Sequence, residues 1–77
     1  MNITYKAQAR KSERHAPGKG FYICVIETTE RNETKVIQPI HNFRKSERGA
    51  RKLANTYANE LATDARKFGN VVTVVTL

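Results

Sequence analysis

The chain opens on an alternation of apolar and polar positions. Over residues 2 to 9, Ile3, Tyr5, Ala7 and Ala9 fall on one side and Thr4, Lys6, Gln8 and Arg10 on the other, the two-residue period of a half-buried strand. Residues 21 to 28, beginning Phe21-Tyr22-Ile23-Cys24-Val25-Ile26, are apolar on both faces, which predicts a central strand covered on one side by a helix and on the other by something else. Glu30-Arg31-Asn32-Glu33 reads as a hairpin turn without an Asn-Gly signal. Residues 35 to 41 form a third strand. Pro39 within it has no N–H for a ladder, which places the strand at an edge or puts a bulge there.

From Ser46 the period lengthens to that of a helix. Ala50, Leu53, Ala54, Tyr57, Ala58, Leu61, Ala62, Ala65 and Phe68 form one stripe. Ser46 is the expected N-cap, Glu47 suits the helix start, and Gly69 marks the C-terminal stop. The many alanines predict a helix lying close to a sheet. Residues 71 to 77, β-branched apart from Leu77, make a fourth strand.

These elements predict an α+β fold in the order β-β-β-α-β: a three-stranded antiparallel meander, one long amphipathic helix packed on one face, and a C-terminal fourth strand. A right-handed crossover sets strand four beside strand one, parallel to it, in the order 4-1-2-3. One helix covers one face, so apolar residues on the other face of strands two and four are left over. A homodimer through the open sheet face or through strand four accounts for them.

Length narrows the picture. Residues 1–77 hold one domain and one core, because a chain this short buries only about 60–65% of the surface its unfolded form exposes. Most apolar residues are then committed to folding, which disfavours a deep substrate pocket and makes a non-enzymatic binding protein the expectation. Hydrophobic content of 39% and charged content of 27% are those of a folded globular domain. The longest apolar run is too short to span a bilayer and the first residues lack a signal-peptide layout, so no membrane partner and a cytoplasmic location are expected. Cys24, the single cysteine, has no internal disulfide partner and reads as a small buried hydrophobe.

The chain carries no metal-ligand spacing, nucleophile elbow or glycine-rich phosphate loop, and no cofactor is expected. Glu27, Glu30 and Glu33 have Arg31 and Lys35 among them and read as a solvated turn. Charge carries the functional signal: a net +7 and a sequence pI near 10.0 attract polyanions, nucleic acid first among them.

That charge is patterned. Arg10-Lys11-Ser12-Glu13-Arg14-His15-Ala16 recurs as Arg44-Lys45-Ser46-Glu47-Arg48-Gly49-Ala50, identical at six of seven positions. The first copy opens residues 10–20, which contain Pro17-Gly18, Lys19 and Gly20 and read as a flexible basic loop. The second opens the helix, where Arg44, Lys45, Arg48, Arg51 and Lys52 gather although the macrodipole disfavours cations there. Free N–H groups, the Ser46 hydroxyl and these cations together suit a phosphate. Arg48, Lys52, Asn55, Asn59, Thr63 and Arg66 share the helix face opposite the apolar stripe, along which a backbone would run. Tyr22, a stacking candidate among these cations, reads first as core.

The order of elements resembles that of small sheet-plus-helix DNA-binding modules such as the arm-binding domains of tyrosine recombinases, whose sheet enters a groove. The resemblance is one of architecture, without a shared motif, and the fourth strand departs from their three-strand plan.

The expected function is therefore that of a small nucleic-acid-binding accessory or regulatory protein. DNA or RNA phosphates would be met by Arg10, Lys11, Arg14, Lys19, Arg44, Lys45, Ser46, Arg48, Arg51 and Lys52. The alternative is an inhibitor or adaptor of the kind phages and mobile elements encode, docking on an acidic or nucleic-acid-binding host protein such as a defence enzyme.

Overall fold

A computed structural model of the chain describes residues 1–11 and 20–77. Its elements are β1 (Asn2–Lys11), β2 (Phe21–Thr29), β3 (Thr34–Ile37), β4 (Phe43–Arg44), α1 (Glu47–Lys67) and β5 (Val71–Val75). The mixed sheet has the order β3-β2-β1-β5, with β4 also pairing β2. β1 and β2 are antiparallel, β2 pairs antiparallel with β3 and β4, and β5 runs parallel to β1. This is the 4-1-2-3 order read from the sequence, with the last strand reached through the crossover helix.

Three predicted boundaries move, the last strand ending at Val75 and not at Leu77. β1 runs on through Arg10 and Lys11, which pair with Tyr22 and Phe21, so the expected basic loop begins later and its remainder, residues 12–19, lies outside the described residues. The third strand is broken in two. Val25 to Thr28 pair with β3, and Phe21 and Tyr22 pair with β4; residues 38–42 around Pro39 interrupt the edge. Asn42 restores bonding across the break: its carbonyl accepts from Ile23 N at 2.9 Å and its Nδ2 donates to Ile23 O at 3.4 Å. At the β2–β3 turn Asn32 adopts φ +61, the left-handed position that asparagine tolerates, and its N–H donates to Thr29 O at 2.9 Å.

The helix begins as its sequence dictates. Ser46 is extended and its Oγ accepts from Gly49 N at 3.0 Å. It ends at Gly69, whose φ of +83 turns the chain while its N–H donates to Arg66 O at 3.0 Å. Phe68 is the exception to the predicted stripe. It leaves the helical path as the C-cap and is 86% exposed.

The core is a sandwich of alanines on a sheet. Ala50, Ala54, Ala58, Ala62 and Ala65 are buried against Ile3, Tyr5, Ala7, Ile23 and Val25, with Leu53, Tyr57, Leu61, Val72 and Val74 closing the flanks. Small side chains on one helix face let the axis approach the sheet, and the larger side chains of the sheet layer, Ile3, Tyr5, Ile23 and Val25, fill the space between. The opposite sheet face has no helix over it among the described residues. Cys24 lies on that face, buried as expected, with its Sγ donating to Gln8 Oε1 at 4.0 Å.

Candidate nucleic-acid interface

Strand register decides where the basic residues meet. Lys11 pairs with Phe21 and Phe21 with Arg44, while Arg10 pairs with Tyr22 and Tyr22 with Phe43. These two rungs bring the start of the first basic heptad to the second, 34 residues later in sequence. Ser46 and α1 follow β4 directly, so the helix N-terminus stands at the same end of the molecule. The principal axis is 41 Å long and the cross-section 20 Å.

Charge is consequently divided between the two ends. At the end just described stand Arg10, Lys11, Arg44, Lys45, Arg48, Arg51 and Lys52, with Lys6 nearby and Glu47 as the acid among the described residues there. Toward the other end Glu27, Glu30, Glu33, Glu60 and Asp64 balance Arg31, Lys35, Arg66 and Lys67. The ion pair there, Lys67 Nζ to Asp64 Oδ1 at 3.8 Å, is largely in solvent and contributes little to stability. The whole positive excess of the described residues is therefore concentrated at one end, where low ionic strength extends its reach.

Six of these cations line shallow grooves, two in each. Lys6, Gln8 and Arg10 line one with Leu77, where β1 runs past the end of β5. Arg48 and Arg51 line a second with Glu47 and again Leu77. Arg44 and Lys52 line a third with Gly49, Leu53 and Thr56 on the far side of the helix. Leu77 thus stands between the basic strand and the basic first turns of the helix. Arg44 turns one guanidinium nitrogen to its neighbour's carbonyl, with Nη1 donating to Phe43 O at 2.7 Å. Lys45 is exposed. The Ser46 hydroxyl is engaged as the helix cap. Arg14 and Lys19 lie outside the described residues.

The long polar face predicted for the helix divides as well. Arg48 and Lys52 are at the basic end, but Asn55 is a clamp: its Oδ1 accepts from Leu77 N at 2.7 Å and its Nδ2 donates to Leu77 O at 3.2 Å. Asn59 Nδ2 donates to Asn55 O at 3.0 Å, Thr63 Oγ1 to Asn59 O at 2.9 Å, and Arg66 Nη2 to Val72 O at 3.2 Å. These side chains fasten the helix to itself and to β5. The cluster of cations is therefore confined to the end of the molecule, and it does not continue along these residues.

Two side chains at this end were not singled out by sequence pattern. Phe43 sits in a two-residue strand that follows the Pro39 break, and its ring packs 5.2 Å from that of Tyr22 at 58°. Gln8 Oε1 accepts from Arg10 Nη2 at 3.0 Å, holding the guanidinium over the sheet. Among the described residues no group of three or more His, Cys, Asp or Glu is placed to hold a metal ion, and no helix is long and apolar enough to cross a membrane.

Comparison with protein-family models, with curated proteins and with solved structures finds no match.

Proposed function

We propose that this chain is a small nucleic-acid-binding protein that holds phosphates at its basic end. The observation that supports the reading is the convergence of Arg10 and Lys11 with Arg44 through Arg51 across two strand rungs, beside a helix N-terminus. Grouping cations at a positive macrodipole end works against helix stability. A bound polyanion reverses that sign and turns the repulsion into affinity.

The test is a titration of the purified protein with labelled mixed-sequence oligonucleotides, read by fluorescence anisotropy from low to high salt. Affinity should fall steeply with salt, since each neutralised phosphate adds about −0.7 to −0.9 to the logarithmic slope. Arg48→Ala with Lys52→Ala should weaken binding on all sequences alike and reduce the slope by up to about two. Unchanged affinity in this double variant would remove the helix end from the interface.

A second reading is favoured by the other half of the open sheet face, where Val36, Val71 and Val75 are exposed. An inhibitor or adaptor docking there on an acidic partner protein would form a stoichiometric complex that persists at high salt, because apolar contacts survive the screening that removes phosphate contacts.

A further inference from the structure

We infer that the basic end of the open sheet face is a platform for single-stranded nucleic acid, on which Phe43 and Tyr22 stack unpaired bases beside the Arg10 guanidinium. The inference rests on the nucleic-acid reading above and names the form of the ligand.

Three planar groups occupy one rung. Phe43, Tyr22 and Arg10 are register partners on β4, β2 and β1, so they stand about 5 Å apart from strand to strand. They face away from the helix, because the alternate residues Ala7 and Ala9 on β1 and Ile23 on β2 belong to the core or pack against it. Both rings are half-buried and Arg10 is exposed. The arrangement is built from beneath as well. A Cβ on Gly20 would lie 2.2 Å from Phe43 Cζ and 2.4 Å from Cε2, so a bare glycine just before β2 lets the ring lie down on the backbone. Gln8 performs the matching task for Arg10, holding its guanidinium in place at 3.0 Å.

Chemistry selects the occupant. Half-buried aromatic rings and a guanidinium in one row combine π-systems with positive charge, which a base and its phosphate complement. In a duplex the bases are stacked on one another and show only their edges, whereas an unpaired base offers a face. Lys6, two strand positions before Gln8 on the same face, lies in reach of the backbone of such a strand. The shared recognition chemistry is that of DNA and RNA alike, and separate arms of the test tell them apart.

The experiment compares the full chain binding a mixed-sequence 12-nucleotide single strand, as DNA and as RNA, with its duplex and with the same strand carrying abasic sites. The single strand in at least one sugar form should bind more tightly than its duplex at equal salt. The abasic strand, which keeps every phosphate, should bind on the order of 10-fold more weakly. Phe43→Leu should cause a similar loss for the single strand with the salt slope unchanged, and Gly20→Ala, which keeps every charge and both rings but displaces Phe43, should do the same. Equal binding of duplex, single and abasic strands by the wild-type protein would overturn the platform and leave the phosphate-binding reading standing. Absence of binding to every form at low salt would overturn both.

Discussion

Tyr5 reports how tightly the sheet and helix enclose a polar group. Its hydroxyl is buried, donates to the carboxylate of its cross-strand partner Glu27, and feels the charges of Glu27 and Asp64; in that order these causes push its pKa up to about 12. An unfolded phenol ionises near 10. The folded state thus holds the proton more tightly, and the contribution is complete below pH 10 and lost as pH rises through 12. Chemical denaturation of wild type and Tyr5→Phe across that window should show the wild type losing on the order of 2 kcal/mol more than the variant. A parallel decline in both would remove Tyr5 as the cause. Asn55 is the second telling residue. Its amide holds Leu77 by two hydrogen bonds, so Asn55→Ala should cost about 0.5–1.5 kcal/mol and speed amide exchange near the end of β5. Helical period correctly sets Asn55 off the apolar stripe. It carries no information on what stands beside that flank, and the returning fifth strand, a tertiary neighbour, turns an apparent ligand contact into a clamp.

Among the elements, the helix was the most legible, because its stripe, its Ser46 cap and its Gly69 stop all act within a few residues of themselves. Phe68 fell off the stripe for an equally local reason: the C-cap geometry departs from helical dihedrals one residue before Gly69, and the three-to-four spacing loses its meaning there. The alanine ridge makes the helix sensitive to added volume. Ala58→Leu, at a position with no exposed surface, should lower stability by about 1–3 kcal/mol, whereas Glu60→Ala on the solvent side should change it by less than about 0.5 kcal/mol; thermal or urea unfolding measures both. The third strand was legible only as far as Pro39. Its residue type announced an interruption, but the resumption of pairing at Phe43 depends on Asn42 bridging to Ile23, a contact between residues 19 apart in sequence. Phe43 went unnoticed for that reason, and with it the aromatic pair.

At the scale of the molecule, net charge was readable from composition and its polarity was not. The two heptads looked like a repeat without a shared structural context; Arg10 and Lys11, which open the first, end a strand that the sheet register sets beside Arg44, where the second leads into the helix. Such polarity predicts that association with an oligonucleotide will be steered, with an on-rate that falls as salt rises from about 0.01 to 0.15 M while the off-rate changes less; stopped-flow mixing separates the two. An on-rate indifferent to salt would disconnect the charged end from encounter. The parallel ladder between β1 and β5 bears on assembly in time. Asn2 pairs with Val71, so forming that ladder closes a loop of nearly the whole chain, whereas the β1–β2 pairing from Lys11 and Phe21 outward and the helix form from near neighbours. Loop closure predicts that the hairpin and helix form first and β5 docks last, so a substitution that stabilises the final strand should slow unfolding and leave the rate of folding unchanged.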